Sequence, residues 1–158
     1  MSYFDKKTIL VPFDFSQFSA QAVETAIEIA GKVENITVLH VIDPTPVLGY
    51  VSDPGLSMGG LNMGMENIDQ IAEIDEQHRL RALKLLEDQF DDAHHRGLHF
   101  AVVADDAPHG ITDYASKHNV DLIILPSHGR TGVKRLLMGS TAERVVRLAH
   151  CPVMVLRS

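Results

Sequence analysis

The chain has 158 residues, enough for one domain with a sizeable core, and its 45% hydrophobic and 22% charged residues give a globular composition. A net charge of −7, from 21 acidic against 14 basic residues, argues against general nucleic-acid binding, where clustered positive charge supplies most of the affinity. No apolar run reaches the roughly 20 residues of a membrane-spanning helix, the N-terminus has no basic-then-apolar leader pattern, and the lone cysteine excludes an internal disulfide. A cytoplasmic chain is expected.

Two periodicities alternate along the sequence. Thr8–Val11 is a short apolar run that reads as a buried strand, closed by Pro12-Phe13-Asp14. Ser16 or Ser19 offers an N-cap to a helix carrying Val23, Ala26, Ile27 and Ala30, with Gly31 placed to stop it. Ile36–Ile42 is a second, β-branched strand. From Pro44 to Met65 there are three prolines, five glycines and three methionines without apolar periodicity, which reads as a flexible surface loop over 44–65, either a lid or an insertion. A long helix is predicted from about Glu66 to about Arg96, ended by Gly97. Leu98–Ala104 follows as a third strand, and Ile111, Tyr114, Ala115 and His118 have helical spacing. Leu122–Leu125, closed by Pro126, is a fourth strand; a helix begins near Ser140, and Val153–Leu156 is the last strand.

The expected architecture is a single α/β domain over 1–158. It is an open parallel five-stranded sheet with helices on both faces, a Rossmann-like sandwich joined by right-handed crossovers. In such a sheet, ligands sit beyond the carboxyl ends of the strands where the strand order reverses. Two polar turns stand at such ends, Pro12-Phe13-Asp14 and Pro126-Ser127-His128-Gly129. If their strands are neighbours, they face one crevice.

Ser127-His128-Gly129-Arg130-Thr131-Gly132, running on to Met138-Gly139-Ser140-Thr141, is the most specific stretch. Its glycines permit close backbone approach and positive φ, and a helix opening at Gly139-Ser140-Thr141 presents N–H groups and its positive dipole end to an anion. Between Ser127 and Ser158, six basic residues stand against one acidic residue, Glu143. The same residues admit a plainer reading: Ser140-Thr141-Ala142-Glu143 fits a capping box, in which the helix satisfies its own donors. The glycines and the basic cluster upstream tip the balance toward a phosphate cradle.

These residues carry a resemblance. Leu122–Leu156 resembles the signature end of universal stress protein domains, whose ATP-binding members carry Gly-x2-Gly-x9-Gly-[Ser/Thr]; Gly129 and Gly139-Ser140 match its second half. Ile9–Ser16 is similar to the family's first strand and its aspartate, and Leu39–Ile42 to its second strand. The resemblance implies an ATP-binding dimer with a stress-response role, bound with or without Mg²⁺, and AMP or ADP as alternatives. It implies that Asp14, beside Pro12, contacts the ribose or adenine side and that the Val41 backbone reads the adenine edge. Gly129, Arg130, Gly139, Ser140 and Thr141 would hold ribose and phosphates. It also implies a homodimer through strand 153–156. One departure stands out: Pro126 replaces the first glycine of the motif, removing an N–H and adding a ring. That substitution favours the alternative, a nucleotide-free dimeric interaction protein.

Other constellations carry less. No phosphate-loop, G-x-G-x-x-G or nucleophile-elbow pattern is present, so no catalytic residue is expected beyond slow ATP hydrolysis. Ser127 and His128 are chain neighbours, which rarely present a nucleophile and base to each other. His94, His95 and His99 straddle a helix end and Gly97, so they do not share one helix face and read as solvated, with no metal site expected. Asp105-Asp106 with His109 reads as helix caps, Cys151 as buried, and Met58, Met63 and Met65 as loop residues that either cover an adenine or are filler.

Overall fold

The computed structural model describes residues 8–43, 66–128 and 138–157, with side chains from residue 76 onward in the long helix. The element order is β1 (Ile9–Pro12), α1 (Gln17–Ile29), a 3₁₀ turn (Val33–Asn35), β2 (Ile36–Ile42), α2 (Glu66–Gln89), β3 (His99–Ala104), α3 (Ala107–Lys117), β4 (Leu122–Pro126), α4 (Ser140–Leu148) and β5 (Val153–Leu156). All pairings are parallel, in the order β3-β2-β1-β4-β5. The expected five-stranded parallel α/β sheet is therefore the observed one. The 44–65 loop lies outside the described residues.

Strand alternation sorts the core into two layers. Ile9, Val11, Val38 and Ile124 pack with Ala22, Val23 and Ala26 of α1, with Leu86 of α2 and with Phe90 just beyond it. Leu10, Leu39, Ile123 and Leu125 pack on the other side with Ile111 and Ala115 of α3 and Ala142 and Val145 of α4. Helices cover both faces, which is why the central strands are apolar almost throughout.

Local chemistry sets the helix ends. Ser16 is the N-cap of α1, accepting from Ser19 N at 3.1 Å, while Ser19 itself is buried in the first turn. α3 starts at Ala107, earlier than its apolar spacing marks, with Pro108 in its first turn, where a missing N–H is harmless.

α2 stops at Gln89 and not near Arg96. Its apolar stripe runs out at Phe90, and Asp92 captures the next amides: its Oδ1 accepts from His94 N at 2.9 Å and His95 N at 3.1 Å. Such local side-chain bonds compete with helix continuation. Gly97, at φ +107°, then turns the chain into β3, a conformation in which glycine carries no penalty.

Candidate functional site

The strand order reverses between β1 and β4. β2 and β3 lie to one side of β1, whereas β4 and β5 lie to the other. The two polar turns thus end neighbouring strands, as the crevice argument required.

What opens the crevice is the chemistry of two prolines. β1 and β4 pair only at Ile9↔Leu122 and Leu10↔Ile123. Amides along a strand alternate between its two neighbours. Phe13 N bonds to Leu39 O at 2.8 Å, on the β2 side, so the nitrogen of Pro12 faces β4. Ser127 N bonds to Leu156 O at 2.7 Å, on the β5 side, so the nitrogen of Pro126 faces β1. Neither has a hydrogen to donate, the next rungs cannot form, and the strands part.

Beyond this gap lies a crevice of about 280 Å³. Pro12, Asp14, Val41, Pro126, Gly139, Ser140 and Thr141 all line it, so seven of the sequence-derived site residues converge. Gly129 and Arg130 lie outside the described residues. Pro126 forms wall and does not fill the space. Leu39, Ile111 and Leu125 add apolar lining.

The β1–α1 turn is rigidly held. Asp14 Oδ1 accepts from Ser16 N at 3.0 Å, and the ring Nδ1 of His40 lies 2.8 Å from Phe13 O. Phe15 sits at φ +63°, an uncommon conformation for a side chain of its bulk. Its ring packs edge-on against Phe13 at 5.1 Å and His40 at 5.0 Å, contacts that offset the strain.

On the opposite wall, Gly139 N donates to Ser127 O at 2.8 Å, clamping the start of α4 to the end of β4. A Cβ at Gly139 would lie 3.0 Å from that same carbonyl oxygen. With φ at −62°, this glycine is required for close approach and not for positive φ. The capping-box reading is corrected here too. Gly139 is the N-cap and has no side chain to offer, so Ser140 is the first helical residue. Glu143 is one position too late, and it pairs with Arg147 at 3.6 Å. Among the described residues no side chain caps the start of α4, whose leading residues Ser140, Thr141 and Ala142 line the crevice, an arrangement open to an anion.

A second hollow, of about 200 Å³, shares Val41, Ala107, Ser140 and Thr141 with the first and adds Asp43, Asp105, Asp106 and Arg144. Asp106 occupies the N-cap position of α3, yet its side chain makes no cap bond. It meets His109 at 3.0 Å and Arg144 at 3.2 Å instead. Ser127 Oγ lies 3.1 Å from His128 Nδ1, so these chain neighbours do meet, contrary to expectation. Sequence reasoning passed over His40, Ala107 and Ile111 as lining residues. Ala107 opens the helix that follows β3, a signal that needed only the strand order to be read.

Fold and site define a doubly wound α/β protein with a crevice at the topological switch point of its sheet. The sequence matches the universal stress protein family over residues 6–157, and the chain belongs to that family. It is 30% identical over 152 residues to universal stress protein MJ0531 of Methanocaldococcus jannaschii, covering 96% of this chain and 82% of that one. It is also 30% identical over 152 residues to YxiE of Bacillus subtilis, covering 94% and 97%. Among solved structures, MJ0577 of Methanocaldococcus jannaschii superposes with a TM-score of 0.69 at 24% identity over 96% of each chain. UspA of Lactobacillus plantarum gives 0.59 at 28% identity over 99% of each. Two more distant structures of the same fold hold ligands: a universal stress protein in complex with cAMP, and an Arabidopsis thaliana member with AMP bound. Among the described residues no helix is long and apolar enough to cross a membrane.

Proposed function

We propose that this protein is a cytoplasmic, non-enzymatic adenine-nucleotide sensor or buffer of the stress response. The observation that carries the reading is the uncapped start of α4, opening onto the switch-point crevice opposite Asp14. The nucleoside would lie on Leu39, Ile111 and Leu125, with Asp14 accepting from ribose hydroxyls and the Val41 backbone facing the adenine edge. Phosphates would run past Gly139, Ser140 and Thr141, with Gly129 and Arg130 as further contacts. The volume of about 280 Å³ is near the lower end of the ~300–1,000 Å³ of small-molecule pockets. The adjoining hollow extends it, and its Asp43, Asp105 and Asp106 favour a nucleotide whose phosphate charge is covered by Mg²⁺.

ATP is the proposed ligand, and AMP and ADP are the alternatives that reach less far into the second hollow. The bound adenine nucleotides of the two distant relatives support the class of ligand. The test is thermal melting and calorimetry with each nucleotide. A midpoint that rises with Mg·ATP is expected, and one unmoved at millimolar ATP and Mg²⁺ removes the claim.

A second reading rests on Pro126, whose nitrogen faces the crevice without a hydrogen: a nucleotide-free protein acting as a homodimer. β5 is an edge strand of partly buried residues, open to pairing with its copy over 153–156. Parent and Pro126→Gly proteins separate the readings. ATP binding by the parent ends the second, and binding gained only in the variant favours it. A Val155→Pro variant that stays dimeric by light scattering would remove β5 as the interface.

A further inference from the structure

At the other end of the sheet from the crevice, the turn between α2 and β3 meets α1. Two histidines there converge on one carboxylate. His94 Nε2 lies 2.9 Å from Glu24 Oε2, and His95 Nε2 lies 2.7 Å from Glu24 Oε1. The ligand atoms of these residues all fall within 4.8 Å of one another. His99 takes no part in the group.

The His95 ring is held from both sides. Its Nδ1 is 2.8 Å from Asp92 Oδ1, and it packs edge-on against Phe90 at 5.0 Å. Its side chain is only 11% exposed, against 58% for His94 and 46% for Glu24. A carboxylate only accepts hydrogen bonds, and a neutral imidazole has one N–H to give. His95 faces carboxylates through both nitrogens. With Nδ1–H donated to Asp92, the Nε2 lone pair points at Glu24 Oε1, and some positive centre must lie between them.

A second proton is one such centre, and a metal ion is the other. The arrangement matches metal-bound histidine in detail: the distal nitrogen ligates while the other donates to a carboxylate that fixes tautomer and ring orientation. Two imidazole nitrogens and one carboxylate oxygen form a three-ligand set suited to a tetrahedral divalent ion with water in the fourth position. Bonds of about 2.0–2.2 Å would set the ligand atoms roughly 3.3 Å apart. The two contacts to the carboxylate, made to different oxygens, need open by about half an ångström, while the set as a whole, now spread over as much as 4.8 Å, must draw together. The exposed side of His94 and Glu24 leaves an entry path.

We propose that Glu24, His94 and His95 form a binding site for a divalent transition-metal ion, Zn²⁺ in preference to Mg²⁺ or Ca²⁺, that ties α1 to the α2–β3 turn. The imidazole nitrogens exclude the hard, oxygen-seeking ions. Asp92 is a positioning residue that acts through His95. The site is remote from the crevice, so its occupancy is independent of the nucleotide reading.

The experiment uses tag-free, chelator-treated full-length protein titrated with ZnCl₂ by calorimetry, with melting followed in parallel. One equivalent is expected to bind at micromolar or tighter affinity and to raise the melting midpoint, with MgCl₂ and CaCl₂ inert at the same concentrations. Co²⁺ in place of Zn²⁺ should give the intense visible absorption of four-coordinate geometry. Glu24→Gln and His94→Ala change half-exposed side chains and should each weaken Zn²⁺ at least about tenfold while the metal-free midpoint holds; Asp92→Asn, which keeps its backbone-accepting oxygen, should weaken it roughly 10–100-fold. Absence of a titratable equivalent, or an affinity changed less than tenfold in both Glu24→Gln and His94→Ala, overturns the site and leaves a hydrogen-bonded cluster that ties α1 to the turn without a metal.

Discussion

Replacing Gly139 by alanine tests whether contact between the α4 start and the β4 end builds the site. The added Cβ would sit 3.0 Å from Ser127 O, a backbone atom with little room to retreat. That carbonyl already accepts from Gly139 N at 2.8 Å, and Ser127 N is tied to Leu156 O at 2.7 Å. Since φ is −62°, alanine meets no backbone penalty and the cost is purely steric. Overpacking of this kind costs about 1–3 kcal/mol, and reduced unfolded-state entropy returns about 0.4–1 kcal/mol. A net loss of about 1–2 kcal/mol should lower the melting midpoint by about 3–6 °C for a chain of this length. The helix start would move away from the crevice, so Mg·ATP affinity by calorimetry should fall at least about tenfold, a further 1.4 kcal/mol. A midpoint within about 1 °C of the parent would refute the close-approach argument.

Other expectations follow from the same geometry. Asp14→Asn keeps the acceptor for Ser16 N but removes the charge, so nucleotide affinity should drop by roughly 1.5–3 kcal/mol while the apo melting curve stays put. Pro126→Gly restores an N–H facing the crevice, so ATP should bind more tightly even as the apo protein loses about 0.4–1 kcal/mol through a more flexible unfolded chain. Leu39, fully buried beneath the crevice, should lose about 2–5 kcal/mol in urea unfolding when cut to alanine. Burial raises the Cys151 thiol above its ordinary 9.0, a backbone hydrogen bond works against this, and the charge of Asp121 adds to the rise. The unfolded chain then ionises first, so this contribution to stability is intact below about 9 and is lost as pH rises beyond it. Cys151→Ala should flatten that alkaline limb.

Much of this was readable from residues alone, for identifiable reasons. The apolar runs at 9–11 and 122–125 are buried on both faces, and 36–42 is buried at Ile36, Val38 and Leu39, so these segments carry a clear strand signal. Ser140 marked a helix start because the chain leaves an extended glycine there. What failed was register and reach. One residue of offset moved Ser140 from cap to first helical position and dissolved the capping box. The charged stretch 87–96 looked helical in composition, but its apolar stripe ended at Phe90, and Asp92 offered its amides a closer partner. Glu24 and His95 are 71 positions apart, and no spacing rule reaches across an intervening strand and helix. Strand order made the same difference to the crevice: Asp14 and Gly139 became opposing walls only once β4 was placed beside β1.

The missing hydrogens on Pro12 and Pro126 also bear on how a small molecule would enter the crevice. A fissure kept apart by packing can breathe shut, whereas one bounded by groups with nothing to donate has no zipped alternative to fall into. A guest therefore finds the slot ready and spends none of its binding energy prising strands apart. Any replacement that returns a donor to both edges gives the sheet a means of sealing itself, and the entrance becomes a matter of competition between a rung and a molecule.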